Sequence, residues 1–330
     1  MSATYSLIIP THNRRETLLR VLRAVERLGS PELLLEVIVV DDGSADGTAQ
    51  AATTLQTGHP LQVLRQPQRG PAAARNAGAA SARGQYALFL DDDIEPSPDL
   101  LQQHHARRGS VRTSDVVVGR VAWPPEVVQT PFLRFVTEHY CFGFEHLDEA
   151  SELTFRHFVT ANLSLPRALL LEHGGFDERF PYCFEDTDLG LRLANAGVRL
   201  LYAPEAVGWH LRPTGVDAFC RRQELIGPSA LVFARKHPDH PEVTRLDRLP
   251  RWGTARGALK KLLFNRGTRP VWKATAALLS RVGLVRAAEL LYFQLLSYHY
   301  YRGIAHALAP TGALPPTSAA EEQGSPSGAR

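Results

Sequence analysis

Three adjacent aspartates, Asp91, Asp92 and Asp93, follow the apolar residues 86–90 and form the strongest chemical signal in the sequence. Neighbouring carboxylates repel one another, which is costly unless a cation lies close to them. Alternate residues of an extended chain point the same way, so Asp91 and Asp93 can converge on one ion. Hard oxygen ligands suit Mg²⁺ or Mn²⁺. The competing interpretation is a solvated acidic turn before a helix.

Two further polar segments follow apolar runs in the same way. They are Thr11-His12-Asn13-Arg14, after residues 5–10, and Asp41-Asp42-Gly43-Ser44, after residues 35–40. The second segment is also typical of a turn, with Asp46 as the cap of the next helix. Both interpretations can hold, since a turn at the end of a strand can also present a carboxylate to a ligand.

Other candidate groups lie further along the chain. Arg75 stands among small residues, where it could pair with a phosphate or where the helix could simply pack closely on a sheet. Glu185, Asp186 and Asp188 open a predicted helix; capping is their ordinary role, and general-base chemistry is the alternative. His210 is a candidate third metal ligand, although a lone histidine is more often structural.

The elements that must position these groups alternate between strand and helix. Apolar runs predict strands over residues 5–10, 35–40, 61–64 and 86–90, and helical spacing predicts helices over 16–28, 46–55 and 72–82. Such alternation predicts an α/β fold with a parallel sheet, in which ligands bind beyond the carboxyl ends of the strands. Later strands are predicted over 115–121, 158–165, 200–203 and 207–211, and later helices over 185–196 and 215–236.

Composition excludes several classes of protein. The chain has 330 residues, 44% of them hydrophobic, and a net charge of +3, which is typical of a globular protein. Its three cysteines, Cys141, Cys183 and Cys220, lack a CxxC spacing, so a disulfide framework is not expected. There is no GxGxxG, no P-loop and no uninterrupted apolar span of 18 residues, and we expect no signal peptide at residues 1–14. We therefore expect a cytoplasmic protein.

In their order along the chain, these motifs resemble a family 2 glycosyltransferase with the GT-A fold. The resemblance covers residues 4–236 and also includes Gly174-Gly175-Phe176-Asp177-Glu178-Arg179-Phe180 and Trp209-His210. It implies a Rossmann-like, mostly parallel central sheet flanked by helices. It also implies a nucleotide-diphosphate sugar as donor, with a UDP-sugar favoured over a GDP- or dTDP-sugar, and Mn²⁺ or Mg²⁺ as cofactor.

The same resemblance implies a role for each motif residue. Asp186 is the expected catalytic base of an inverting transfer, and Glu185 and Asp188 are expected to support the acceptor site. The expected metal ligands are Asp91, Asp93 and His210. The expected nucleotide-binding residues are Pro10, Thr11, Asn13, Arg14, Asp42, Arg75, Asp91 and Asp92. The Gln-x-x-Arg-Trp motif of processive members is absent, which favours transfer of one sugar per encounter to a glycan or lipid-linked acceptor.

Two other functions fit parts of the pattern. A nucleotidyltransferase shares the need for metal and phosphate sites, but a Gly-rich, Lys-containing loop would be expected after its first strand. A catalytically silent module in a glycan-assembly complex would keep the fold, but the full set of Asp91, Asp93, Asp186 and His210 disfavours it.

The C-terminal part of the chain is basic. We expect a catalytic domain over 1–236, divided near 120 into nucleotide and acceptor halves, a linker over 237–257, a basic amphipathic helical extension over 258–309, and a disordered tail over 310–330. Residues 251–310 carry ten Lys or Arg and one acid, Glu289. The extension either contacts an anionic membrane, which would make the protein peripheral on the inner face of the cell membrane, or packs on the catalytic domain or on a second copy. Nucleic-acid binding is not expected.

Overall fold

A computed structural model describes residues 4–109, 114–140, 144, 146–246 and 254–308. The chain forms two compact units. The first comprises Met1–Val127, Phe142–Glu178 and Glu185–Pro213, and the second comprises Val128–Cys141, Arg179–Phe184 and Thr214–Arg330. The predicted disordered tail, Cys141 and residues 247–253 of the predicted linker lie outside the described residues.

The first unit contains one eight-stranded sheet and the helices around it. Its strands are β1 (Tyr5–Thr11), β2 (Leu34–Asp41), β3 (Leu61–Arg65), β4 (Tyr86–Leu90), β5 (Ile94–Pro96), β6 (Val116–Ala122), β7 (Asn162–Pro166) and β8 (Leu200–His210). Its helices are α1 (Arg15–Val25), α2 (Thr48–Thr53), α3 (Pro71–Ser81), α4 (Leu100–Gly109), α6 (Arg167–Glu172) and α7 (Glu185–Asn195). Short 3-10 turns lie at Pro31–Leu33 and Phe155–His157. The strand order is β3-β2-β1-β4-β7-β6-β8-β5.

The sheet combines parallel and antiparallel pairs. β1 pairs in parallel with β2 and β4, β2 with β3, and β6 with β8. β7 runs antiparallel to both β4 and β6, and β5 runs antiparallel to β8. The predicted α/β fold is confirmed. Because β1, β2 and β4 are parallel neighbours, the polar segments that follow them meet at one edge of the sheet.

Helix α3 packs on the sheet through its small residues, as the sequence allowed. A Cβ on Gly78 would lie 2.4 Å from Cγ2 of Ile8 on β1, so only glycine fits at this crossing. Ala72, Ala74 and Ala79 are buried on the same side. This close approach fixes the position of Arg75, which lies one helical turn before Gly78.

Two predicted strand boundaries were wrong. β7 begins at Asn162 rather than 158. Residues 200–210 form one strand rather than two, because β8 continues through Pro204 with a register shift opposite Gly119 and Arg120. Asn162 stabilises this irregularity, since its Nδ2 donates to the carbonyl oxygens of Ala206 at 2.8 Å and Arg120 at 3.1 Å.

The second unit is helical. Its helices are α5 (Pro131–His139), α8 (Val216–Lys236), α9 (Pro241–Thr244), α10 (Ala255–Leu263), α11 (Arg269–Arg281) and α12 (Val285–Ala307). α8 and α12 cross closely, since a Cβ on Gly227 would lie 2.5 Å from the backbone nitrogen of Ile304. Glu224 on α8 also pairs with Arg302 on α12 at 2.8 Å. No helix in the described ranges is long and apolar enough to cross a bilayer.

Candidate active site

Arg75 connects two acidic motifs that are far apart in the sequence. Its Nη2 donates to Oδ1 of Asp91 at 2.8 Å, and its Nη1 donates to Oε1 of Glu185 at 2.7 Å. The guanidinium is buried, and burial alone would lower its pKa, but the two carboxylates raise it, so Arg75 stays charged. Arg75 therefore holds the end of β4 beside the start of α7, which carries Asp186.

Asp92 is tied to the end of β1. Its Oδ2 accepts a 2.7 Å hydrogen bond from Oγ1 of Thr11, and its Oδ1 accepts one of 3.0 Å from Nη1 of Arg14. Burial and the neighbouring Asp93 carboxylate raise the pKa of Asp92 to about 6, against the opposing effect of Arg14. Both oxygens of Asp92 are thus engaged within the protein.

Asp93 lies between Arg14 and His210. Its Oδ2 accepts a 2.5 Å hydrogen bond from Arg14, and its Oδ1 is 4.0 Å from Nε2 of His210. Burial would raise the pKa of Asp93, but His210, Arg14 and Arg212 together lower it. The antiparallel pairing of β5 with β8 places His210 opposite Ile94 and so brings it to the aspartates.

The predicted metal ligands Asp91, Asp93 and His210 do not form a group of ligand atoms that are all within 4.8 Å of one another. In the described part of the chain, the one group of three ligand atoms within 4.8 Å of one another is Glu138, His139 and Glu289, in the second unit. Oδ1 of Asp93 and Nε2 of His210 are 4.0 Å apart. This is less than twice the usual metal–ligand distance of about 2.1 Å, so one ion could contact both atoms. Arg75 engages only Oδ1 of Asp91, and Oδ2 makes no hydrogen bond with the described residues.

The charge balance of this cluster suits a divalent cation. Five carboxyl groups (Asp91, Asp92, Asp93, Glu185 and Asp186) face three guanidinium groups (Arg14, Arg75 and Arg212) through the ion pairs and electrostatic interactions described above. The excess of negative charge and the oxygen-rich donor set are those that Mg²⁺ and Mn²⁺ prefer. The residues therefore fit the predicted ion.

Asp186 has the environment of a general base. Its Oδ1 accepts a 2.7 Å hydrogen bond from the backbone nitrogen of Thr187, while Oδ2 makes no hydrogen bond with the described residues. Burial and the adjacent Glu185 carboxylate raise the pKa of Asp186 to about 7, and Arg75 opposes this shift. A carboxylate with such a pKa can accept a proton near neutral pH.

Asp42 and Asn13 organise the loops at the predicted nucleotide edge. Asp42 accepts hydrogen bonds at 2.8 Å from the backbone nitrogens of both Arg69 and Gly70. Asn13 has a positive φ of 50°, and its Oδ1 accepts from the backbone nitrogen of Ala45 at 2.8 Å. Both side chains thus brace neighbouring loops. Pro10, in contrast, contributes a half-buried position on β1 in register with Val40.

Residues beside the predicted catalytic groups form a supporting layer. Asn76 accepts from the backbone nitrogen of Phe176 and donates to its carbonyl oxygen, both at 2.8 Å. Asp188 accepts from Nε of Arg192 at 2.9 Å, and Arg192 in turn donates to the carbonyl oxygen of Gly175 at 2.6 Å. Asp188 is thus connected through Arg192 to the turn at 174–175.

Two residues of this site were missed by the sequence analysis. The ring of Trp123 packs edge-on to His210 with centroids 4.8 Å apart, and Arg212 acts electrostatically on Asp93. Arg212 follows His210 by two positions. Because alternate residues of an extended chain point the same way, this spacing could have indicated that Arg212 lies near the same aspartates. Trp123 becomes a neighbour only through the pairing of β6 with β8, which no local pattern shows.

The matches to known families agree with this geometry. A sequence model described as "Glycosyl transferase family 2" matches residues 6–168, and one described as "Glycosyl transferase family group 2" matches residues 117–303, more than half of the chain. The glycosyltransferase AglE of Haloferax volcanii is 30% identical over 214 residues, which cover 64% of this chain and 68% of that protein. The chain belongs to the family 2 glycosyltransferases.

Two further proteins are similar over much of the chain. The pre-mycofactocin glycosyltransferase of Mycobacterium tuberculosis is 30% identical over 279 residues, 78% of this chain but only 55% of that protein, so this chain spans about half of that relative. A mannosyltransferase of Pyrobaculum calidifontis, solved with GDP-Man and Mn²⁺, superposes with a TM-score of 0.61 at 20% identity over 90% of this chain and 86% of that one. The structural similarity to this mannosyltransferase confirms the GT-A fold.

Proposed function

We propose that this chain is an inverting, metal-dependent glycosyltransferase that moves one sugar from a nucleotide-diphosphate sugar to a hydroxyl of a glycan or lipid-linked acceptor. The observation that supports this most strongly is the bridge made by Arg75, which joins Asp91, a proposed metal ligand, to Glu185, the neighbour of the proposed base Asp186. The residues proposed to bind the donor and the residue proposed to deprotonate the acceptor then belong to one cluster.

The donor is held at the edge formed by β1, β2 and β4. Asp91, Asp93 and His210 would hold Mn²⁺ or Mg²⁺, which neutralises the charge that develops on the departing nucleoside diphosphate. Arg75 adds a fixed positive charge at the same end of the cluster. Thr11, Asn13 and Asp42 shape the loops that receive the nucleotide, together with Pro10, Arg14 and Asp92.

The transfer needs one base. Oδ2 of Asp186 accepts the proton of the acceptor hydroxyl while the hydroxyl oxygen attacks the anomeric carbon and the bond from that carbon to the diphosphate oxygen breaks. One displacement inverts the anomeric configuration, and no carboxylate nucleophile is required. Glu185 keeps Arg75 in place and raises the pKa of Asp186, and Asp188 supports the turn behind them.

Release of nucleoside diphosphate tests this proposal. We expect one of a panel of UDP-, GDP- and dTDP-sugars to be consumed in the presence of Mn²⁺ and an acceptor, with no release in EDTA. NMR of the product should show the anomeric configuration opposite to that of the donor. Formation of a sugar nucleotide from a sugar phosphate and a nucleoside triphosphate would instead indicate a nucleotidyltransferase and contradict the proposal.

The pH profile tests the role of Asp186 in particular. Because the base must be unprotonated and its pKa is about 7, kcat/KM for the donor should fall about tenfold per pH unit below that value. The measurement is kcat/KM for the donor between pH 5 and 9, at saturating Mn²⁺ and with the acceptor well below its KM, so that the parameter reports the enzyme free of both substrates. An acidic limb near the ordinary carboxyl pKa of about 4 would argue against Asp186 as the base.

A further inference from the structure

The exposed apolar side chains of this protein are concentrated in three helices. Among the described residues, the strongly exposed large apolar side chains number twelve, and ten of them lie within residues 254–308. They are Leu259, Leu262, Leu263, Val271, Leu278, Val282, Leu284, Val285, Leu290 and Leu308. Such a concentration on one stretch of chain indicates an interaction surface rather than scattered surface residues.

The longest run of consecutive exposed positions within residues 254–308 lies where α11 meets α12. Residues 281–286 are six consecutive exposed positions, and the chain reverses there at Gly283, whose φ is +82°. Val282 is 61% exposed and Leu284 is 55% exposed. We call residues 281–286, with Leu278 one turn before and Leu290 one turn after, the α11–α12 corner.

The helices that carry this corner are firmly packed on their other sides. On α12, Tyr292, Leu295 and Leu296 are buried, and the Tyr292 ring lies 5.0 Å from that of Phe132. α11 is anchored to α8 by Arg269, whose Nε is 2.8 Å from Oδ1 of Asp217. The exposed side chains at the corner are therefore presented by helices whose other faces are packed within the second unit.

The corner carries positive charge that the second unit does not neutralise. Arg266 and Arg302 pair with Glu224, and Arg269 and Lys273 pair with Asp217. Arg281 and Arg286, which flank the corner, make no ion pair with the described residues. Exposed valine and leucine between two arginines is the composition of a surface that enters the interface of an anionic bilayer.

We propose that the α11–α12 corner docks on an anionic lipid surface, with Val282, Leu284 and Val285 below the headgroups and with Arg281 and Arg286 at the lipid phosphates. Insertion to a depth of about 5–10 Å requires no membrane-spanning helix. A symmetric contact between two copies of the corner is disfavoured, because it would bring Arg281 and Arg286 of both copies into one interface to which residues 281–286 contribute no acidic residue.

Co-sedimentation of the full chain with vesicles tests this proposal. The two vesicle types are phosphatidylcholine alone and an equal mixture of phosphatidylcholine and phosphatidylglycerol. We expect binding to the anionic vesicles that weakens as salt is added. The double variant Val282→Asp with Leu284→Asp should lose most of this binding. Arg281→Gln with Arg286→Gln should weaken it about 25-fold, which is about fivefold for each cation removed.

The control is Val128→Asp, because Val128 is a strongly exposed apolar residue of the second unit, 79% exposed, that lies outside both the corner and residues 254–308. It should bind anionic vesicles as the unchanged protein does. Equal binding by the double aspartate variant would overturn the proposal, as would the absence of any binding by the unchanged chain. A dimer in sedimentation velocity that the double variant dissociates would also overturn it, since a second copy would then cover the corner.

The corner is independent of the proposed catalytic residues, so the two proposals fail separately. Release of nucleoside diphosphate with a water-soluble acceptor should be the same in the corner variants and in the unchanged protein. A loss of this release together with vesicle binding would mean that the substitutions damage the fold rather than a lipid-binding surface, and would contradict the proposal.

Discussion

Replacing Asp186 by asparagine should lower kcat about 10³-fold, the usual contribution of a positioned general base, while the Kd of the donor changes by less than about threefold. Turnover falls because the amide cannot accept the proton of the acceptor hydroxyl. Donor binding is retained because Asp186 is not among the proposed donor-binding or metal-binding residues, and Oδ1 of the asparagine can still accept the hydrogen bond from the backbone nitrogen of Thr187.

The measurements are steady-state kinetics and calorimetric titration of the donor with Mn²⁺. Asp99→Asn is the matched control, since Asp99 is an exposed carboxylate outside the cluster and its loss removes the same charge. It should leave both quantities unchanged. Loss of donor binding in parallel with turnover would show that Asp186 acts in binding or folding and not as the base.

Replacing Asp93 by asparagine should abolish the dependence of donor binding on Mn²⁺. Oδ1 of Asp93 is the carboxylate oxygen 4.0 Å from His210 Nε2, and the amide removes the charge that an ion at this position requires. We expect the donor affinity of the variant to be the same in Mn²⁺ and in EDTA and at least about tenfold weaker than that of the unchanged protein with Mn²⁺.

Asp99→Asn serves again as the control for net charge and should keep the full effect of Mn²⁺. Thermal unfolding of both variants in the absence of ligand separates a loss of binding from a loss of fold, because Asp93 also accepts a hydrogen bond from Arg14. Retention of the full Mn²⁺ effect by Asp93→Asn would exclude Asp93 as a ligand of the ion.

Much of the site could be predicted because it depends on local rules. Polar residues after β1, β2 and β4 had to meet at one edge once these strands were recognised as parallel neighbours. The close packing of α3 likewise follows from the small residues around Gly78. These signals lie within a few residues of one another, so the sequence shows them directly.

The remainder depends on pairings between distant segments. The bridge from Arg75 to Asp91 and Glu185 spans 110 positions, and no periodicity indicates it. Trp123 reaches His210 because β6 lies beside β8. β8 continues through Pro204 with a register shift, where the distant residue Asn162 donates a hydrogen bond to the carbonyl oxygen of Ala206. A local analysis interprets Pro204 as a break.

Sequence patterns also did not predict which apolar residues of the C-terminal helices are exposed. Their amphipathic composition predicted that an apolar surface exists, but not which residues would be exposed. Leu295 and Leu296 pack inside the second unit, whereas Val282 and Leu284, at the turn, stay exposed. Only the tertiary contacts of α8, α11 and α12 decide between these outcomes.

The central claim is that the cluster joined by Arg75 is a metal-dependent site for a nucleotide-diphosphate sugar. The most direct measurement is the thermal unfolding of the unchanged chain with UDP, GDP and dTDP, each in Mn²⁺ and in EDTA. At about one hundred times Kd, one of these nucleotides should raise the Tm of this 330-residue chain by about 4 °C in Mn²⁺, and EDTA should remove the shift. A chain whose Tm none of the nucleotides raises in Mn²⁺ would contradict the claim.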